Sequence, residues 1–559
     1  MSNAAILAQA TIADIRHYGA TVLSTDNSAA INAALAANKE VFVPPGNFQV
    51  AGTLSLSAGQ MIHGMGWSSI LTFTTPNVSC ISASAVTGAI VRDLKIVVTG
   101  TGTASYIGVV IFTGSTACRA ENLDISGNSG CGIFVQDSSK CIVKNNYLHD
   151  FNLVNGNADQ ADIYLGIGTA VGTRYCIVDG NICFGGGWHG VMILTGAGAI
   201  TAVRNEYNQI TNNRIGQHAA YGISDYCGNG HFDLYNQISG NFIENIQGSV
   251  LGGSSGAGIY CVAGGGNVIS DNNIRNCCVL TSNASLVPGG IGVGDCQSSS
   301  PHTISGNVIT GMTNYHGIMV SSCPTGAIVT GNSVEIEAGN GVGSGITINS
   351  SSNTVVANNT IDNLAANAAI LLQASITINN NSILGNLIKS AGVGIGTNIV
   401  SGSPFFQKTL INNNNINVSV GSTAINLQSV AQGSLANNTA FTQVATCVAL
   451  AGCTALRVTG NYFACNGTFA LNISGVGTDV LIDESNYLSG ASNSYMNAVT
   501  DSSAGAVALV AQYGAAVPTA GVHQIGHRVI QSASVIGNPK GWRCTTGGTP
   551  GTWTSEGNL

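Results

Sequence analysis

The stretch ISGNVITGMTNYHGIMVSSCPTGAIVTGNSVEI (304–336) holds one full period of a repeat that runs through most of the chain. It opens on Ser-Gly-Asn307-Val-Ile, passes through His-Gly317-Ile-Met-Val and closes on Thr-Gly-Asn332-Ser-Val. The first signal is a small residue or Gly, then Asn, any residue, and Ile or Val. It recurs at Asn146, Asn181, Asn213, Asn241, Asn273, Asn307, Asn332, Asn359, Asn386, Asn415, Asn438 and Asn461. The second signal, Gly-Ile-any-apolar, falls about midway: at Gly132, Gly190, Gly222, Gly258, Gly290, Gly317, Gly345 and Gly394, with AILL, AINL and ALNI in its place further on. Steps between successive Asn residues vary from 23 to 35. A unit of that length cannot bury its own apolar face, so copies must stack.

The two signals predict how they stack. Asn tolerates the left-handed conformation of a sharp turn, and its amide can bond neighbouring backbone. Gly allows the backbone to bend where a Cβ would obstruct it. Ile and Val at alternate positions point to one side and stack on their counterparts in the next coil. The expected fold is all-β: a single-stranded right-handed parallel β-helix of about a dozen coils. A leucine-rich repeat is excluded, because its Leu consensus and its alternating helices are missing. A propeller needs longer and more uniform blades.

Composition narrows the function. Charged residues are only 8% of 559, against a usual ~25%, and Gly contributes 74. The net charge of −8 with 17 basic residues excludes a nucleic-acid partner, which requires a Lys/Arg stripe. No apolar run approaches the ~18 residues of a membrane span. The 16 Cys sit in apolar strand contexts and read mostly as reduced, buried small hydrophobes. Cys277-Cys278 and Cys447/Cys453 lack the second half of a zinc motif, so neither a metal nor another cofactor is expected. The first twenty residues have no basic segment followed by an apolar one, and so do not read as a signal peptide.

The ends differ from the repeat. Residues 1–75 read as a capping segment, in which Asp26, Asn27 or Ser28 starts a short helix with Ile31 and Leu35 on its apolar face. The β-helix is expected over 76–484, a Ser/Ala/Gly-rich linker over 485–520 and a small β module over 521–559. DIRHYGA (14–20), AINAALAA (30–37), VFVPPGNFQV (41–50) and MIHGMGWSSILTF (61–73) resemble the opening of the pectate-lyase-like superfamily. GNPKGW (537–542) and GTPGTW (548–553) resemble a C-terminal module of bacteriophage tail-spike and related β-helix proteins. The resemblance implies a polysaccharide-acting protein of a virion tail or extracellular surface, a homotrimer, and attachment to a particle through another protein.

Loop length places the site. Between Asn146 and Asn307 the steps stretch to 35, 32, 28, 32 and 34, so extra residues emerge around the Gly-Ile strand and wall a groove. Residues 146–316 hold ten of the 25 acidic residues and six of the ten His, whereas 338–478 hold Asp362 as their one acid. The segment YGISDYCGNGHFDLYNQ (221–237) concentrates this chemistry. Alternation from Ile223 puts Asp225 inward, in a column with Ile193, Cys261 and Val293, unless the strand bulges toward the groove. Asp225, Asp233 and Glu206 are the expected acid and base. Adjacent rungs, ~4.8 Å apart, suit the carboxylate separations of glycoside hydrolysis. Asp162, Trp188, His189, Arg204, Tyr226, His231, Tyr235 and Tyr260 are the expected substrate contacts, with Asp159, Asp295 and Glu244 as lesser candidates. The absence of Lys between Lys144 and Lys389 favours hydrolysis over lyase chemistry on a uronate. A non-catalytic glycan-binding adhesin is the further alternative.

Overall fold

The structure, a computed structural model, describes residues 13–559 except 76–77, 100–107, 128–129, 152–159, 168–170, 196–203, 228–232, 248–255, 279–287, 297–299, 314, 339–342, 401–404, 420–421, 444–445, 468, 475–479, 484, 490–498, 502–506, 510, 520–524, 532–534 and 549. It divides into two compact units, 1–302 and 303–559. Among the described residues no helix is long and apolar enough to cross a membrane.

The first unit opens on the expected cap. A helix spans Ser28–Ala37 and buries Ile31, Ala34 and Leu35. Of the three candidate capping residues, Asp26 does the work: its carboxylate accepts the Ser28 N–H at 2.8 Å. Asn27 instead ties neighbouring turns together, accepting from Thr21 N and donating to Gln49 O.

Parallel coils follow. The Gly-Ile strands Cys131–Gln136, Ala161–Ile167, His189–Thr195, Tyr221–Cys227, Ala257–Val262 and Pro288–Gly294 pair in sequence order. Their register stacks Ile133, Ile163, Val191, Ile223, Ile259 and Ile291 in one inward column, each fully buried. Burying each such side chain contributes about 1.5–3 kcal/mol relative to exposure. The glycine before the column residue is needed for space, not for a left-handed backbone. A Cβ on Gly190, Gly222 or Gly258 would stand 2.3, 2.5 or 2.4 Å from the Cγ2 of Ile215, Ile243 or Ile274.

At the Asn corner two residues share the work that the sequence assigned to one. The left-handed conformation falls on the residue before the repeat Asn: Asn145, Gly180, Asn212, Gly240 and Asp271. The repeat Asn itself bonds from rung to rung. Asn146 Nδ2 donates to Asn181 Oδ1 at 2.9 Å, Asn181 to Asn213 at 2.9 Å, Asn213 to Asn241 at 3.0 Å and Asn241 to Asn272 at 2.9 Å. The ladder member is therefore Asn272, not Asn273.

In the second unit the same ladder joins Asn307, Asn332, Asn359, Asn386, Asn414, Asn438, Asn461 and Asn486. Asn414, not Asn415, is the member here. In both corrected cases the inward Ile lies two residues after the ladder Asn, and that spacing sets the register. The expected linker at 485–520 is partly strand: Tyr487–Ser489, Val499–Asp501 and Val507–Leu509 pair onto preceding coils. The C-terminal module is a four-stranded sheet that begins earlier than expected, at Ala511–Gly514, and continues through Arg528–Gln531, Gly541–Thr546 and Thr552–Ser555.

Candidate functional site

Each inserted loop expected from the step lengths falls in part outside the described residues, and Asp159 and His231 lie there too. The strands that carry the loops are described. On Tyr221–Cys227, alternation turns Ile223, Asp225 and Cys227 inward and Ser224 and Tyr226 outward. The outward side carries an aromatic row over successive coils. His189 stacks on Tyr221 with ring centroids 5.3 Å apart and 17° between planes, and Tyr221 on Tyr260 at 5.3 Å and 9°. Tyr226 stands beside it, 45% exposed. Ser224 Oγ lies 3.0 Å from His189 Nδ1. Burial, and then Asp295, raises the Tyr260 phenol, which stays protonated at any working pH.

Asp225 and Asp233, the expected acid and base, lie in the interior, 1% and 0% exposed. The register holds Asp225 between Ile193 and Cys261, in the column that alternation predicted, with no bulge to turn it outward. Its Oδ2 accepts from Asn236 Nδ2 at 3.2 Å and Asn267 Nδ2 at 2.9 Å. Asp233 Oδ1 accepts from Thr195 Oγ1 at 2.8 Å and Asn205 N at 2.9 Å. Burial, then the facing Asp233, pushes the Asp225 carboxyl well above the usual carboxylate range. Two bare negative charges so close in a dry interior are strongly disfavoured, and a proton held on Asp225 removes one of them. Among the described residues their hydrogen-bond partners all lie within the coil, so the expected acid and base are both interior side chains.

Asp162 is also interior. It occupies the Gly position of its strand and its Oδ2 lies 3.0 Å from His218 Nε2, with both side chains buried. The pair is 56 residues apart, and Asp162 packs against a glycine: a Cβ on Gly186 would fall 2.0 Å from Asp162 Oδ1. Trp188 is buried against Ala219, Ala220 and Tyr221, so it supports the row and offers no face to a sugar. His189, 4% exposed, is likewise a backing residue. Glu206 sits at another corner, 3.5 Å from Arg174 Nε with its side chain 17% exposed, and Arg204 is half-buried on the same turn. Arg214 and Glu244 form an ion pair at 3.0 Å.

The remaining expected contact, Tyr235, belongs to a ladder that the sequence reading missed. Tyr175 and Tyr207 stack at 5.2 Å, and Tyr207 and Tyr235 at 5.3 Å. All three are left-handed and 41–51% exposed. The signal was present as RYCIV (174–178), EYNQI (206–210) and LYNQI (234–238), three Tyr at one register position.

Two family models match the sequence: a right-handed beta helix region over residues 81–293, and a periplasmic copper-binding protein (NosD) over 235–426. No curated protein matches it. Among solved structures, ORF18 of Geobacillus virus E2 is similar at 12% identity, with 61% of each chain covered and a TM-score of 0.40. The chain thus spans about three fifths of ORF18. The Streptococcus pneumoniae surface protein and adhesin PfbA is similar at 12% identity, with 70% of this chain and 100% of that one covered and a TM-score of 0.42. The catalytic unit of a GH87 alpha-1,3-glucanase from Streptomyces thermodiastaticus is similar at 14% identity, with 89% and 70% covered and a TM-score of 0.38.

Proposed function

We propose that the loop-bearing coils of this right-handed parallel β-helix bind a weakly charged bacterial surface polysaccharide from outside the cell. The observation that carries this reading is the outward row of Tyr221 and Tyr260 with exposed Tyr226 beside it, on strands whose connections are lengthened. Stacked rings present a rim of phenol hydroxyls that pair with sugar hydroxyls, and Tyr226 adds an open aromatic surface. Of the acidic residues expected at the groove, the described strands leave Asp295 beside this row, which suits a neutral glycan better than a polyanion. Binding is favoured over hydrolysis because Asp225 and Asp233 are interior.

The test is calorimetric titration of size-fractionated capsular and O-antigen polysaccharides. Tyr226→Ala should weaken binding at least ~10-fold, about 1.4 kcal/mol, without moving Tm, and Tyr260→Phe, which keeps the stacked ring and removes the hydroxyl, should also weaken it. Unchanged affinity in both sinks the reading. Mass spectrometry of the same mixtures addresses cleavage. A saturated product with one added water per cut makes the protein a hydrolase, a 4,5-unsaturated product makes it a lyase, and intact polymer leaves it a binding protein.

A further inference from the structure

We propose that Asp225, Asp233 and Cys227 hold a single divalent, thiophilic metal ion inside the coil, with Zn²⁺ the best match. One atom from each of the three side chains lies within 4.8 Å of the other two, and all three residues are buried. Carboxylate oxygen and thiolate sulfur are each zinc ligands, and Ca²⁺ or Mg²⁺ would not select the sulfur.

Three further features point to a ligand. Asp225 Oδ1 is buried and has no hydrogen-bond donor, whereas Oδ2 of the same group has two. Oδ2 is thus oriented by Asn236 and Asn267 while Oδ1 is left without a donor. Asp233 is fixed in the same way, by Thr195 and the Asn205 amide. Hydrogen bonds from outside that aim a carboxylate at a shared point are the usual support of a metal ligand. Among the described residues no Lys, Arg or His forms an ion pair with either carboxyl.

A proton shared between the two carboxyls would offset one charge and satisfy Oδ1, with Cys227 then only a weak donor to Thr195 Oγ1 at 3.8 Å. A metal ion uses all three groups, displacing the carboxyl and thiol protons on binding. The motif was invisible as spacing because Asp225 and Cys227 are neighbours on one face of a strand and Asp233 lies beyond that strand's end. Cys227 and Asp233 flank residues 228–232, so an ion between them ties the two ends of that segment together.

The test uses the full-length protein expressed in zinc-supplemented medium. Elemental analysis should find about one zinc per chain. Prolonged chelation should remove it and lower Tm by several degrees, and added Zn²⁺ should restore both. Co²⁺ substitution should give a thiolate-to-metal absorption band that is lost in Cys227→Ser, and Asp225→Asn, which preserves shape, should abolish the stoichiometry. Zinc-free protein whose Tm ignores both chelator and Zn²⁺ overturns the proposal in favour of a shared proton. So does Cys227→Ser protein that keeps its zinc.

Discussion

The loop-bearing coils of the first unit and the barer coils of the second are built from the same parts, and they differ chiefly in what their interiors hold. In both, a His just before the Gly-Ile strand bonds a hydroxyl on the next coil: His189 to Ser224 at 3.0 Å, and His316 to Thr347 at 2.9 Å. A Ser–His contact beside a groove invites a nucleophile reading. Its recurrence where the coils are short assigns it to the scaffold. The interiors diverge. Residues 303–486 bury Asn, Ser, Thr and His316 but no carboxylate among their described members, whereas the first unit buries Asp162 with His218 and Asp225 with Asp233. Regular coils of the second unit satisfy their corners with neutral amides, whereas the first unit also buries carboxylates, Asp124 against Lys95 and His149 among them.

Breaking the charged interior should have the largest effect. His218→Ala leaves Asp162 buried without its partner and should cost about 3–5 kcal/mol, read from denaturant melts. A loss below ~1 kcal/mol would mean that Asp162 is neutral on its own, and the contrast between the two interiors would shrink.

The neutral interior has a pH dependence of its own. Burial lowers His316 from the ordinary 6.5 to about 4. The folded protein therefore keeps the neutral imidazole while the unfolded chain takes up a proton below pH 6.5. Stability is complete above that pH and is lost as pH falls toward 4, by up to about 3 kcal/mol. His316→Gln should flatten this part of the stability–pH curve relative to wild type. Parallel curves would refute the assignment.

A corner of the bare coils should matter less. Asn359 accepts from Asn332 N and Nδ2, both at 2.9 Å, and donates to Val329 O and Asn386 Oδ1, both at 3.0 Å. Asn359→Ala should cost about 1–3 kcal/mol and leave polysaccharide affinity unchanged. A fall in affinity would extend the binding face into the second unit. The smallest stability effect is expected on the binding face itself, where Tyr226→Ala should change stability by less than ~0.5 kcal/mol while weakening the glycan complex.

The sequence determined the coil by itself, because the alternation of Ile223, Asp225 and Cys227 and the Asn-any-Ile spacing are local rules that each rung repeats. Alternation placed Asp225 in its column with Ile193 and Cys261 before any coordinates. RYCIV, EYNQI and LYNQI spelled out the tyrosine ladder just as plainly, although only the stacked rings drew attention to it. Partnership was a different matter. That Asp162 meets His218 and packs against Gly186, and that Asp233 lies close to Asp225 and Cys227, depends on contacts between residues dozens of positions apart or beyond a strand's end. Periodicity says which side of a strand a residue faces; only the tertiary structure decided what stood opposite it, since that is set by how far each connection strays before it rejoins the stack.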